Sequence, residues 1–202
     1  MGIYLNPGND LYLETYNDTI FVDKSMLINE LNQCIKKASK KYVCVSRPRR
    51  FGKSTDVNML VAYYSKGCDS KKLFDSLKIS KSDSYLKHLN QYQVIYLNMQ
   101  DFLSQSHDIE NMLKLISKSL IWELLIQYQD LMYFDKDNII RVLHDIYNQR
   151  NVSFIFIIDE WDCIFRNKNI SSDDQEQYLD FLRNLLKDKP YVSLAYMTGI
   201  LP

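Results

Sequence analysis

The run YVCVSRPRRFGKST at residues 42–55 constrains the fold more than any other part of the chain. It begins with β-prone, largely apolar residues, as a buried strand does, and it ends in Gly-Lys-Ser-Thr. A strand that leads through such a sequence into a helix is typical of a phosphate-binding loop, whose backbone N–H groups surround phosphate oxygens. In this arrangement Lys53 reaches the terminal phosphates and the Ser54 hydroxyl binds Mg²⁺. The run therefore predicts a strand–loop–helix unit that binds a nucleotide.

A second segment, FIFIIDE at residues 154–160, is predicted to be the partner strand of this unit. Asp159 follows the apolar stretch, where a carboxylate can hold the same Mg²⁺, and Glu160 is placed to activate a water molecule. The alternative is a polar strand end with two solvated acids. The two motifs come in the expected order, about a hundred residues apart, and each follows a strand. Together they predict one shared site.

The loop departs from the usual G-x-x-x-x-G-K-[ST] pattern, because Arg47 stands where the first glycine is expected. Pro48 fixes φ and lacks an N–H group, whereas the arginines add charge that suits phosphate. A basic surface turn that contains GKS by coincidence is the alternative, but the apolar run before it and the helical pattern after it favour a phosphate loop. Thr55 is either a second hydroxyl near the nucleotide or an ordinary first-turn residue. The predicted nucleotide-binding residues of the loop are Arg47, Pro48, Arg49, Arg50, Phe51, Gly52, Lys53, Ser54 and Thr55.

Thr198 ends the last predicted strand and is a candidate catalytic residue together with Glu160. Its hydroxyl is placed to sense the γ-phosphate or to position the attacking water, although Thr-Gly is also a common way to leave a strand. None of the three histidines has a constellation of catalytic partners around it. The chemistry is therefore expected from the two strand motifs.

Composition limits the classes of protein to which the chain can belong. With 202 residues and zero net charge, it is expected to form one domain, with no membrane partner and no direct sign of nucleic-acid binding. Residues 36–53 nevertheless carry eight basic side chains and no acidic one, which creates a local field that attracts polyphosphate. The four cysteines lack C-x-x-C spacing, and the N-terminus does not resemble a signal peptide. These features predict a soluble, cytoplasmic protein with reduced thiols.

Strand-like and helix-like segments alternate along the chain. The predicted strands are residues 42–46, 93–99, 152–158 and 192–198, and the predicted helices are residues 25–38, 53–65, 108–128, 138–149 and 172–187. Residues 11–13 and 19–22 favour short β segments, and residues 68–92 are ambiguous. This alternation predicts a three-layer α/β fold with a mainly parallel sheet covered by helices on both faces. We expect residues 1–24 to be a turn-rich β segment that flanks the nucleotide site and residues 25–202 to be the P-loop NTPase core.

With these motifs, the chain resembles the AAA-ATPase-like family of additional-strand P-loop NTPases, which is related to signal-transducing ATPases with numerous domains. The resemblance rests on FVDKS at 21–25, RPRRFGKS at 47–54, IIDE at 157–160 and TGIL at 198–201. In that family the atypical first loop position is the normal form. The resemblance implies ATP and Mg²⁺ as ligands, a further strand and helical lid beyond residue 202, and often a C-terminal PD-(D/E)XK nuclease-like domain. It also implies that adenine lies near Phe21 and Val22, with a hydrophobic staple onto the next helix as the alternative.

These observations lead to one functional hypothesis and two rivals. We expect a module that binds ATP with Mg²⁺ and, in its full-length context, hydrolyses ATP to drive a conformational change in an unknown protein partner or in a missing C-terminal domain. The fragment alone is expected to have low ATPase activity, because related ATPases take an arginine from the lid. The rivals are a regulatory module that binds nucleotide without hydrolysis and a small-molecule P-loop kinase. Glu160 favours hydrolysis over the kinase, because it is placed to activate water.

Overall fold

Four parallel strands form one sheet at the centre of the molecule. The computed structural model describes residues 2–201. The strands are β1 (Tyr42–Ser46), β2 (Gln93–Asn98), β3 (Phe154–Asp159) and β4 (Val192–Gly199). They lie in the order β1-β4-β3-β2. All four predicted strands are confirmed to within about two residues, and the order brings the carboxyl ends of β1, β4 and β3 side by side.

Helices cover both faces of this sheet. They are α1 (Asp10–Tyr16), α2 (Met26–Asn32), α3 (Lys53–Tyr64), α4 (Lys71–Phe74), α5 (Tyr85–His88), α6 (Met99–Ser104), α7 (Ile109–Gln127), α8 (Ile139–Arg150), α9 (Cys163–Arg166) and α10 (Ser172–Leu186), with a 3₁₀ helix at Lys78–Lys81. None of the helices within residues 2–201 is both long enough and apolar enough to cross a bilayer.

The central strand β3 divides its side chains between two hydrophobic cores. Phe154, Phe156 and Ile158 pack in the core that α6, α7, α8 and α10 cover. Ile155 and Ile157 point the other way, into the core that α1, α2 and α3 cover. Every residue of β3 is buried, as expected for a strand with helices on both sides. The three-layer α/β fold predicted from the sequence is confirmed.

The N-terminal region differs from the prediction of short β segments. Residues 11–13 lie in α1, and residues 19–22 form no strand. Burial of Tyr12 favours the helix over a strand here. Its ring is buried and stacks on Phe74 with a centroid separation of 5.3 Å. The preference of isolated residues for a strand gives way to this tertiary burial. The proposed boundary between residues 24 and 25 stays a prediction.

Three other details also differ from the sequence prediction. Strand β1 was expected to be buried, but it lies at the edge of the sheet, and Tyr42, Cys44 and Ser46 are exposed. Helix α2 ends at Asn32, six residues before the predicted end at residue 38. The run SDDQ at 172–175 fits a capping box and predicts a cap at Ser172, but α10 is capped one residue earlier, by Ser171, whose hydroxyl accepts the N–H of Asp174.

Candidate nucleotide-binding site

The loop between β1 and α3 has the backbone geometry of a phosphate cradle. Gly52 stands at the N-cap of α3 with φ +74°, and Arg50 is also left-handed with φ +67°. The positive φ calls for glycine at residue 52, and a Cβ there would displace the end of the Lys24 side chain, whose Nζ would lie 2.5 Å away. The N–H groups in the first turn of α3 have no helical acceptor and carry the positive end of the helix dipole. The loop can therefore bind an anion.

Lys53 lies inside this loop rather than in solvent. Its side chain is buried, and its Nζ donates to the backbone carbonyls of Arg47 at 2.9 Å and Pro48 at 3.1 Å. The side chains of residues 47–51 are exposed around it, and Thr55 is half-buried in the first turn of α3. The loop thus surrounds one ammonium group with exposed guanidinium groups.

Ser54 and Asp159 meet at the carboxyl end of the sheet. Ser54 Oγ donates to Asp159 Oδ2 at 3.0 Å, although the two residues are 105 positions apart in the chain. Asp159 is almost fully buried, and its Oδ1 accepts the Thr198 hydroxyl and, at 3.0 Å, the N–H of Glu160. Thr198 is fully buried, so its hydroxyl orients this carboxylate. The sequence placed Ser54, Asp159 and Thr198 at one site, and the fold brings them together.

These oxygens suit Mg²⁺. A hydroxyl and a carboxylate are hard ligands, and Mg²⁺ is usually held by one or two carboxylates together with phosphates and waters. In residues 2–201 no group of three or more His, Cys, Asp or Glu side chains is arranged to hold a metal. Ser54 and Asp159 supply two oxygens at this position, so a Mg²⁺ ion here would take its other ligands from phosphates and waters.

Glu160 adopts a left-handed conformation with φ +55° just beyond β3. Its Oε2 accepts a hydrogen bond from Arg166 Nη2 on α9. Arg166 also faces Asp162, with Nε and Oδ1 3.5 Å apart. Sequence reasoning missed Arg166. The only signal was the spacing of four residues between Asp162 and Arg166, which would place them on one face of a helix.

Lys24, which lies in the FVDKS run, is a second residue at the loop to which the sequence reasoning gave no role. Its Nζ donates to the carbonyls of Phe51 at 3.0 Å and Gly52 at 3.4 Å, and it lies 3.1 Å from Asp56 Oδ1. Burial raises the pKa of Asp56, and the nearby Lys24 opposes this shift. Lys24 therefore ties the segment before α2 to the loop and to the first turn of α3.

Phe21 and Val22, predicted near adenine, have different surroundings. Phe21 packs edge-on against Tyr16, with ring centroids 5.2 Å apart, and also contacts Tyr12. Val22 is 64% exposed. The structure thus ties Phe21 to α1 and leaves Val22 free on the surface two residues before Lys24.

With this geometry in view, comparison with known proteins gives the family. A protein-family profile described as "Predicted AAA-ATPase" matches residues 13–202. The chain belongs to this AAA-ATPase-like family. It is therefore a nucleotide-binding NTPase module, and the family resemblance drawn from the sequence motifs is confirmed. None of the functionally curated proteins matches the chain.

Solved structures include similar chains at low sequence identity. ORC2 from Aeropyrum pernix, in ADPNP–ADP complexes, is 11% identical with a TM-score of 0.41, and the match covers 91% of this chain and 44% of ORC2. Cdc6p from Pyrobaculum aerophilum is 12% identical with a TM-score of 0.42, and the match covers 95% of this chain and 42% of Cdc6p. The chain thus spans less than half the length of these two proteins.

Proposed function

We propose that this member of the AAA-ATPase-like family binds ATP with Mg²⁺ and, in its full-length context, hydrolyses ATP to drive a conformational change. The observation that carries the proposal is the hydrogen bond of 3.0 Å between Ser54 Oγ and Asp159 Oδ2. It joins the phosphate loop to the end of β3, which is where a metal shared between protein and phosphates would lie.

The protein side of ATP binding follows from the loop. Lys53 Nζ now bonds to two carbonyls, and it can exchange these neutral acceptors for phosphate oxygens, which make stronger charge-assisted bonds. The N–H groups at the start of α3 and the exposed arginines 47, 49 and 50 add further donors. Ser54 and Asp159 would hold Mg²⁺, which when bound neutralises charge on the phosphates.

Hydrolysis would use Glu160 as the group that accepts a proton. The oxygen of a water molecule forms a bond to the γ-phosphorus while the bond from that phosphorus to its bridging oxygen breaks. ADP leaves with the electron pair, inorganic phosphate is formed, and the proton of the water passes to the Glu160 carboxylate. Thr198 would act through Asp159, whose Oδ1 it bonds.

One observation favours a second function, a regulatory module that binds nucleotide without hydrolysis. The carboxylate of Glu160 is paired with Arg166. A carboxylate oxygen that accepts a bond from guanidinium is less available to take a proton from water. Measured phosphate release separates the two functions.

Phe21 and Val22 are proposed to flank the adenine. The support is that Val22 offers exposed apolar surface close in sequence to Lys24, which bonds the loop. A nucleotide-bound structure with the base remote from residues 15–25 would refute this placement.

The cytoplasm is the proposed location, which the four unpaired cysteines support. The partner would be another protein or a C-terminal domain.

Two amide substitutions test the proposal. Asp159→Asn should lose the Mg²⁺-dependent part of ATP affinity, whereas Glu160→Gln should bind ATP with Mg²⁺ normally and release phosphate at least about 10²-fold more slowly, the usual minimum worth of a general base. Calorimetric titration with and without Mg²⁺, followed by single-turnover phosphate release, measures both. Asp180→Asn is a matched control, because Asp180 is an exposed acid paired with Arg183. If Glu160→Gln hydrolysed ATP as fast as the wild type, its assigned role would be wrong.

A further inference from the structure

The proposed water-activating residue, Glu160, forms a cluster with Asp162 and Arg166, here called the Arg166 cluster. The side chains of Glu160 and Arg166 are 23% and 18% exposed, and that of Asp162 is fully buried. Two acids and one arginine share a small volume with little water to screen them. Charges placed in this way interact strongly, and each depends on its partner.

The cluster holds more hydrogen-bonding capacity than it uses. Arg166 Nη2 bonds Glu160, but Arg166 Nε and Asp162 Oδ1 are buried and, within residues 2–201, neither has a hydrogen-bond partner. The two atoms are 3.5 Å apart. A rotation of the guanidinium group that brought both Nε and Nη2 to Asp162 would pair Arg166 fully with that acid. Glu160 would lose its partner only in this second arrangement.

Asp162 is well placed to take over Arg166, because it is itself held firmly. Its Oδ2 accepts the N–H groups of Ile200 and Leu201, each at 2.7 Å. These residues directly follow β4, and Ser46 Oγ at the end of β1 donates to the carbonyl of Ile200 at 2.9 Å. The second acceptor for Arg166 is therefore anchored to the backbone beyond the strand that carries Thr198.

We propose that Arg166 is a positioning residue that withholds Glu160 from water by pairing with it, and that transfer of Arg166 to Asp162 releases Glu160 for hydrolysis. This inference rests on the proposed ATP hydrolysis. A contact within the chain would then limit the rate of hydrolysis. The two arrangements differ by one side-chain rotation, and their relative populations set the rate.

Substitutions at the two ends of the cluster should change the rate in opposite directions. Arg166→Gln frees Glu160, so the rate of single-turnover phosphate release should rise about tenfold or more. This gain is part of the ~10²–10⁴-fold rate increase that a general base contributes. Asp162→Asn keeps an oxygen for the N–H groups of Ile200 and Leu201 but removes the charge that attracts Arg166, so the rate should fall below that of the wild type. Arg166→Lys keeps the charge and should stay slow.

The controls separate this effect from damage to the fold. Arg183→Gln removes an arginine from an exposed pair with Asp180 and should leave the rate unchanged. The double variant Arg166→Gln/Glu160→Gln should lose the gain, because the gain acts through Glu160. In NMR spectra, the Arg166 Nε–H resonance, assigned by its loss in Arg166→Gln, should move in Glu160→Gln and in Asp162→Asn but not in Arg183→Gln.

The outcomes are distinguishable. A faster Arg166→Gln and a slower Asp162→Asn, both with the ATP affinity of the wild type, support the inference. An Arg166→Gln variant that binds ATP normally but releases phosphate no faster than the wild type overturns it and leaves ATP binding intact. Failure of the wild type to bind ATP in calorimetric titration overturns the proposed function and this inference together.

Discussion

Lys53 shows how much one buried cation can depend on a loop. Its ammonium group lies inside the turn, and two backbone carbonyls, of Arg47 and Pro48, are its acceptors. A buried ammonium group needs such partners, because loss of hydration is costly. The same position lets the side chain reach a phosphate without leaving the loop.

Replacing Lys53 should therefore weaken ATP binding more than folding. Lys53→Ala removes at least one charge-assisted hydrogen bond worth ~1.5–3 kcal/mol, so affinity should fall about 10–100-fold or more. Calorimetric titration measures the change, and thermal unfolding checks the fold. Lys66→Ala, at the exposed position just beyond α3, is the control and should bind ATP as the wild type does. Unchanged affinity in Lys53→Ala would remove the basis of the site.

Gly52 and Gly67 form a natural pair for testing the loop. Both have positive φ, +74° and +91°, so alanine should cost each about 1–2 kcal/mol of the free energy of unfolding. Only at Gly52 would the new Cβ meet Lys24 Nζ, at 2.5 Å, whereas Gly67 has open space. We expect Gly52→Ala alone to lower ATP affinity. Denaturation curves and titrations of both variants check this, and an equal loss of affinity in Gly67→Ala would contradict it.

Asp23 joins two elements through its carboxylate. Its oxygens accept the N–H of Ser25, just before α2, and of Lys78, at the start of the 3₁₀ helix, each at 2.8 Å. Burial raises the pKa of Asp23, but hydrogen bonds from Ser25 and Lys78 outweigh burial, so this pKa lies below its ordinary value of 3.8. A depressed pKa means that the ionised form stabilises the fold.

The stability that Asp23 contributes should therefore depend on pH. It is fully present above the unfolded-state pKa near 3.8 and is lost as pH falls through the lower folded-state value. Asp23→Asn should cost about 1 kcal/mol at pH 7, and the difference from the wild type should shrink below pH ~4. Urea unfolding at several pH values measures it, with the exposed Asp83→Asn as control. A difference that is the same at pH 3 and pH 7 would show that the charge is unimportant.

Elements with strong local signals were predictable from the sequence. Aspartate is a favoured N-cap residue, so Asp108 before the apolar repeat predicts a helix start there. The prediction is confirmed, because α7 begins after Asp108, whose carboxylate accepts the N–H of Asn111. Strand β3 was evident from its uninterrupted apolar run. By contrast, α1 depends on the burial of Tyr12 against Phe74, which are 62 residues apart in the chain. No local pattern contains such a contact.

The candidate site also contains residues that local sequence motifs predict and residues that only tertiary packing places there. Lys53, Ser54 and Asp159 belong to motifs whose spacing reflects their chemistry, so their meeting could be predicted. The contacts of Lys24 and Arg166 arise from the way in which α3 and α9 pack beside the loop and the end of β3. The edge position of β1 follows from the strand order, and alternation of strands and helices does not determine that order.

The site is also a link between distant parts of the chain. Residues that line it come from the segment before α2, the loop, the end of β3 and the end of β4, from Lys24 to Thr198. Unfolding separates all of them, so ATP with Mg²⁺ should bind the folded state alone. Ligand binding of this kind stabilises the whole molecule by mass action.

ATP with Mg²⁺ should therefore raise the melting temperature. At a ligand concentration of about 100 times Kd, the stabilisation is about 2.7 kcal/mol. For a chain of this size each kcal/mol is worth about 2–4 °C, so the shift should be roughly 5–11 °C. Thermal unfolding with ATP, with and without EDTA, measures it, and the shift should shrink when EDTA removes Mg²⁺. The Lys53→Ala variant, at the same ATP concentration, should show about half of that shift or less, because a 10–100-fold loss of affinity leaves only about 0.4–1.4 kcal/mol of stabilisation. An equal shift in that variant would mean that ATP stabilises the chain from some other place.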